Sequence, residues 1–453
     1  MQIRKEKFIY LLFFICIASL FILFAYNGYP LFGGDSYSFL PTAIHIDRGD
    51  GLINTLYMPT GNEQMLFYPP IFPYFQSLFL FTNKPNELFV SLAITSILSL
   101  FIMMMVLSKL LSKKSPSLIK YILFFVISIG IATGLDTSSG RPEILLNLWI
   151  SIGLLVYIYD YKNQDYIYGV LLILIGFTSP ITGIYIFVIL LMLFIYKKKK
   201  LINYLKLICS VFVLFILFIL IYPYSFIELI QTMAFVAQKI IVSRDDAYSI
   251  IDFIKYHFIY PSYTFYFILF LSSIIYLFKY LCQSISIVTL FIFLFGLIFY
   301  FGFRNLATNY YVYNIYLIYV FIVVSALIKH KNTSMILFIF ILTSIGFVRK
   351  TALYVYFYDE RAIVNNVNNS LKNFNIVNYS DNSSFWIYKY YTNHNIERNS
   401  KCYVYQQALS SSILLKEKDS VIINFINTDN LTIAGIRIAN NPPFYYYKLV
   451  VEK

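Results

Sequence analysis

FIYLLFFICIASLFILFA, residues 8–25, decides the solvent in which this chain folds. Eighteen residues pass without a charge. As a helix they span about 27 Å, close to the hydrocarbon thickness of a bilayer. Arg4, Lys5 and Lys7 precede the run, as they would in a membrane-targeting signal. The run is long and lacks a small-x-small site at its end, so it reads as a retained signal anchor.

The rest of the chain follows the same pattern. Of 453 residues, 59% are hydrophobic and 13% are charged, and mean hydropathy is +0.70. Soluble domains carry about 25% charged residues. No soluble core could hide this much apolar surface. The runs show no period-2 alternation, and an open sheet cannot satisfy its backbone in hydrocarbon, so helices remain. Further apolar runs lie near 87–108, 119–134, 143–160, 166–179, 181–196, 201–223, 263–280, 284–303, 312–329 and 335–352. With the first, near 8–27, these make about 11 transmembrane helices. Thr178-Ser179-Pro180 and Gly183 interrupt two short runs, which predicts a tight re-entry or a broken helix.

Basic residues set the expected topology. Lys109, Lys113, Lys114 and Lys120 flank one connection, Lys197 to Lys200 form another, Lys279 marks a third, and Lys329, His330 and Lys331 a fourth. All four fall on one side if the helices alternate. The positive-inside rule makes that side cytoplasmic, with the N-terminus inside. The net charge of +13 reflects this bias. The basic residues form no stripe with interleaved readout residues, which argues against nucleic acid as a partner. Cys16, Cys209, Cys282 and Cys402 form no disulfide or zinc pattern.

The opposite, extracytoplasmic side then receives the first loop, 28–86, the segment 135–142, a later loop, 225–262, the segment 304–311, and the tail. Residues 1–352 read as the transmembrane domain. Residues 353–453 read as a small soluble extracytoplasmic α/β domain, with strands over Ser420–Ile426 and Tyr445–Val451 and a helix over Asp359–Phe374.

Asp35 lies just beyond the first helix, close to the membrane surface. A carboxylate in such a partly dry setting suits proton abstraction. The other reading makes it the N-cap of a helix over Ser36–Ile46. Arg141 and Glu143 pair with each other, cap the fourth helix, or serve a site. His45 and His257, in separate loops, make a weak pattern for a divalent metal. No cofactor is expected.

The order of these features resembles the GT-C class of membrane glycosyltransferases, which includes protein O-mannosyltransferases and lipid A aminoarabinose transferases. The resemblance rests on Asp35 followed by Tyr37 and a short interfacial helix, then Tyr68-Pro69-Pro70 leading into the second helix. It continues with Arg141-Pro142-Glu143 opening the fourth helix, the Pro180 and Gly183 break, and Arg304 with Tyr310 and Tyr311 before a late helix. The chain departs from the pattern in having Asp35-Ser36 where relatives carry Asp-Glu, and in lacking a Lys at the break.

The resemblance implies an inverting transfer from a polyprenyl-phosphate sugar to a glycan, lipid or protein acceptor, at the outer face of a plasma (inner) membrane. Asp35 would be the catalytic base. Arg304, Arg141, Lys239, Arg244 and Lys255 are the candidates for holding the donor phosphate. Tyr37, Tyr68, Glu143 and Tyr310 would line the substrate site. The alternative from another class is a multi-pass transporter or flippase of a lipid-linked or small-molecule substrate. Transporters place ionisable residues near the midplane of spanning helices, whereas here the expected helix interiors are almost free of charge and the charges gather on outer loops close to the membrane.

Overall fold

The computed structural model describes residues 2–26, 38–54, 64–81, 86–112, 118–135, 140–159, 161, 163–196 and 201–242, helical positions at intervals between 317 and 351, and short strands between 376 and 451. The helices are α1 (Gln2–Tyr26), α2 (Leu40–Asp47), α3 (Ile71–Ser77), α4 (Asn86–Leu111), α5 (Leu118–Gly134), α6 (Glu143–Tyr159), α7 (Gln164–Thr178), α8 (Pro180–Tyr196), α9 (Leu201–Ile221) and α10 (Phe226–Val242). Residues Glu6–Tyr26, Glu87–Leu111 and Leu201–Ile221 are long and apolar enough to cross a membrane. The protein is therefore a helical membrane protein. α5, α6 and α8 have 17 residues each, or about 26 Å of helix.

Hydropathy placed α1 and α4 to α9 well, because charged or proline-bearing connections separate their apolar runs. The expected runs 263–280 and 284–303 lie outside the described residues, as does the helix expected over Asp359–Phe374. Helical positions from 317 to 328 and from 334 to 351 fall on the last two expected runs.

One expectation needs correction. The later loop, 225–262, is not all loop, because residues Phe226–Val242 form α10. Leu229 and Val236 are buried, seven residues apart on one face. The Glu228 amide donates to Ser225 Oγ at the helix start. Glu228, Gln231 and Lys239 interrupt the apolar run and hid the helical period. Asp35, the other expected helix start, lies outside the described residues. α2 begins at Leu40 behind an N-cap at Phe39, with a proline in its first turn.

α4 packs against α1, α5 and α6, and α7 packs against α6, α8 and α9. α4 buries Leu92, Leu100, Met103 and Val106, and α6 buries Leu145, Leu146, Ile150 and Leu154. Ser91, Thr95 and Ser99 on α4 return their hydroxyls to carbonyls three or four residues back, and Thr95 Oγ1 also accepts from Gln76 Nε2 on α3 at 3.1 Å. α9 leans on α7 through Leu207 and exposes Leu205, Ile208, Phe212, Val213, Leu217 and Leu220. Such a surface needs an apolar solvent.

Contacts between helix ends show that successive helices alternate in direction. At one end the Lys120 ammonium is 2.8 Å from Glu6 Oε2, joining the starts of α5 and α1. The Lys109 ammonium lies 5.2 Å from the centre of the Tyr159 ring, joining the ends of α4 and α6. Asn203 donates to Asp165 at 2.6 Å, joining the starts of α9 and α7. At the other end meet the first loop, the start of α6, the α7–α8 break and the residues after α9.

In the C-terminal region, β1 (Ile376–Tyr379), β2 (Asn395–Ile396), β3 (Cys402–Ala408), β4 (Ser420–Asn424) and β7 (Tyr445–Val451) form one sheet in the order β2-β1-β3-β7-β4. β5 (Thr432–Ile433) pairs with β6 (Ile436–Arg437). β7 runs antiparallel to both β3 and β4, with Cys402 opposite Val451 and Ser420 opposite Val450.

Candidate functional site

Three chain segments far apart in sequence converge at the end of the bundle away from the lysines. The first enters through Gly140, whose φ of +56 is easy for a residue without Cβ. Arg141 and Pro142 follow, and their carbonyls accept from Ile144 and Leu145 as α6 begins. Glu143 is thereby fixed in the first turn of α6, 3% exposed. A carboxylate there is favoured by the helix dipole. Arg141 Nε lies 3.1 Å from Glu143 Oε2. The guanidinium is partly buried, and its partner is two residues away.

The second segment is the α7–α8 break. Pro180 disfavours helical backbone at the residue before it, and Ser179 adopts φ −147, ψ 101. The chain resumes as a helix when Gly183 N donates to Ser179 O at 2.6 Å. A Cβ at Gly183 would meet the Ile175 carbonyl oxygen at 2.7 Å, so this close crossing requires glycine. The break turns the Ser179 hydroxyl toward α6, where it donates to Glu143 Oε1 at 3.2 Å. Beside it Trp149 Nε1 donates to Thr178 Oγ1 at 3.0 Å.

The third segment is Tyr68-Pro69-Pro70, which leads into α3. The Tyr68 hydroxyl is 2.7 Å from Ser179 Oγ. The direction of this bond follows from chemistry. Glu143, as a carboxylate, only accepts, and Ser179 has one hydrogen to give. Ser179 gives it to Glu143, so its oxygen accepts from Tyr68. The chain of donation runs from Tyr68 to Ser179 to Glu143, with Arg141 donating from the other side.

Phe39, the N-cap of α2, stands over this chain. Its ring meets Tyr68 edge-on at 5.1 Å between centroids, and the Arg141 guanidinium lies 6.0 Å from its centre. The residues after α9 close the side, because the Tyr224 hydroxyl donates to Leu52 O at 3.0 Å. Burial raises the hydroxyl pKa of Tyr222, with Tyr224, Tyr74 and Glu228 adding to it. Burial also raises those of Tyr224 and Tyr74.

Of the residues expected at a site, the structure brings Tyr68, Arg141 and Glu143 together. Lys239 lies on α10, and its side chain is not described. Asp35, Tyr37, Arg244, Lys255, His257, Arg304 and Tyr310 lie outside the described residues. His45 sits on α2 with Nδ1 2.9 Å from Asp50 Oδ2. Among the described residues no three His, Cys, Asp or Glu side chains gather as a metal site. Sequence reasoning missed Ser179 and Phe39. The signal for Ser179 was present, since a hydroxyl at a proline break has a free orientation to offer.

The arrangement defines a helical membrane protein with a polar, aromatic-capped cluster at one membrane-proximal end. No protein-family model, no curated protein and no solved structure matches the chain.

Proposed function

We propose that the protein is an inverting glycosyltransferase of the membrane, moving a sugar from a polyprenyl phosphate to an acceptor hydroxyl. The observation that carries this reading is the meeting of Tyr68, Arg141-Pro142-Glu143 and the Ser179-Pro180 break. These are three of the five segments on which the resemblance to GT-C glycosyltransferases rests, and they share one end of the bundle. The opposite end gathers Lys109, Lys120 and Lys206, and the segments joining α4 to α5 and α8 to α9 carry Lys113, Lys114 and Lys197 to Lys200. By the positive-inside rule that end is cytoplasmic, so the polar cluster faces outward. The proposed topology is a multi-pass inner-membrane protein of about 11 spans. Its N-terminus is cytoplasmic and its tail domain, 353–453, extracytoplasmic.

In this reading Asp35 takes the proton of the acceptor hydroxyl as that oxygen attacks the anomeric carbon. The bond from that carbon to the phosphate oxygen breaks, and polyprenyl phosphate leaves as an anion. Arg304 is the first candidate to stabilise it, with Arg244, Lys239 and Arg141 behind. Arg141 drops in rank because Glu143 already neutralises it. Charge placement speaks against the transporter reading. Among the described residues the buried charges Lys120, Glu143 and Asp165 and the part-buried Glu6 lie within two turns of a helix start, not at the midplane.

The test is transfer from a panel of polyprenyl-phosphate sugars by purified protein in lipid. Asp35→Asn is expected to abolish transfer without changing expression or insertion, and Arg304→Ala to weaken donor binding. Normal turnover by the Asp35→Asn protein would remove the base assignment. Transport of the intact lipid-linked sugar without transfer would replace this reading by the flippase.

A further inference from the structure

A second polar arrangement lies on α2, apart from the Tyr68–Ser179–Glu143 chain. His45 Nδ1 is 2.9 Å from Asp50 Oδ2. The turn that returns Asp50 to it is held by Asp50 N donating to His45 O at 2.9 Å and by Gly49 at φ +83. A carboxylate only accepts, so Nδ1 carries a proton, and in the neutral ring Nε2 keeps a lone pair. The two nitrogens lie on different edges of the ring, so Nε2 points away from Asp50. It is buried and has no hydrogen-bond partner among the described residues.

Thr42, three residues earlier, is fully buried, and its Oγ1 also lacks a partner there. Residues three apart are neighbours on one helix face. Each such orphan is destabilising when nothing satisfies it. Phe39, another three residues back, is the ring between Tyr68 and Arg141. The row Phe39, Thr42, His45 therefore leads from the polar cluster along α2. The turn over Asp47 to Asp50, which follows the row, is exposed.

We infer that Thr42 and His45 are a hydroxyl-binding subsite for a sugar. Nε2 accepts a hydrogen bond from one hydroxyl, and Thr42 Oγ1 exchanges one with its neighbour. Asp50 is a positioning residue that fixes the ring. The sugar identity rests on the transferase reading. The preference for a neutral polyol rests on the groups themselves, which are a lone pair and a hydroxyl, with no set of metal ligands among the described residues. Neither is a catalytic residue in this scheme, and no proton is transferred.

The chain has four histidines, so selective 15N-histidine labelling of the full-length protein in a sugar-free zwitterionic detergent gives a readable spectrum. The probes are alkyl glycosides of a hexose and a pentose. The Nε2 resonance absent from the His45→Asn spectrum is expected to move as glycoside is added. His45→Gln keeps an acceptor near Nε2 and retains binding. His45→Asn keeps only the link to Asp50 and weakens binding about tenfold, the equivalent of one hydrogen bond. A purely structural role gives the reverse order, since Asn preserves the Asp50 contact and Gln does not, and that order overturns the inference. An unmoved Nε2 resonance also overturns it, a buried water then being the partner. If transfer activity persists alongside an unmoved resonance, only this inference fails. Absence of both transfer and glycoside binding overturns the transferase reading as well.

Discussion

Each end of the bundle holds a buried ion pair, but the two pairs are built differently. At the lysine end Glu6 and Lys120 belong to different helices 114 residues apart, 2.8 Å from each other, their side chains 15% and 5% exposed. At the polar end Arg141 and Glu143 are two residues apart in one turn. The local pair orders little chain that α6 does not order already. It therefore leaves the carboxylate's second oxygen to reach Ser179 and, through it, Tyr68. The first pair fastens α1 to α5. The second anchors a first-loop segment and a helix break to the start of α6. A pair that spans the bundle does structural work alone, whereas a pair closed on itself can hold a site.

The comparison is broken most directly at the lysine end. Lys120→Met leaves Glu6 buried beside an apolar side chain and is expected to lower stability by about 3–5 kcal/mol. The double variant Glu6→Leu with Lys120→Met should recover most of this, because a buried pair replaced whole by apolar residues loses little. Thermal unfolding in one detergent measures both. A double variant as weak as the single one would show that the pair does more than fasten two helices.

Next in size is the helix break. Gly183→Ala drives a Cβ to 2.7 Å from the Ile175 carbonyl oxygen. The α8 start must shift away from α7, at about 1–3 kcal/mol. Ser179 shifts with it, so transfer should fall more than stability does. A Gly183→Ala protein with full activity would mean that Ser179 need not stay within reach of Glu143.

How much of this was legible in the sequence depends on the range over which the residues act. α4 to α9 could be placed because hydropathy is local and their connections carry Lys, Pro or Gly. The Arg141–Glu143 pair was readable for the same reason. The link from Tyr68 to Ser179 spans 111 positions and exists only once α3, α6, α7 and α8 have packed. α10 was hidden by polar residues at positions its apolar face does not use. Asp before a helix is a common start signal, but Asp35 lies outside the described residues, and α2 has a proline in its first turn, a start signal of its own.

A smaller effect probes the donation chain. Tyr68→Phe removes one donor and should cost about 1 kcal/mol. Ser179→Ala removes two bonds and leaves Glu143 with Arg141 alone. Combined, the two losses should be less than additive, since the Tyr68 hydroxyl has no Ser179 to donate to once that residue is Ala. Strict additivity would mean that Tyr68 and Ser179 are not coupled as drawn.

The smallest effect concerns Tyr222, just past α9, and its sign can be worked out in advance. Burial raises its pKa in the folded protein above the ordinary value of 10. The folded state therefore holds the phenol proton more tightly than the unfolded chain does. The resulting stability is complete below pH 10 and drains away as pH rises through 10 toward the folded value. At pH 10 the loss is only about 0.4 kcal/mol, one half-titrated group in the unfolded chain. The Tyr222 hydroxyl is buried and lacks a hydrogen-bond partner among the described residues. Tyr222→Phe should thus be neutral or slightly stabilising at pH 7, and its melting curve should fall less steeply between pH 9 and pH 11. The Phe variant lacks this titration, and an unchanged slope would place Tyr222 in water.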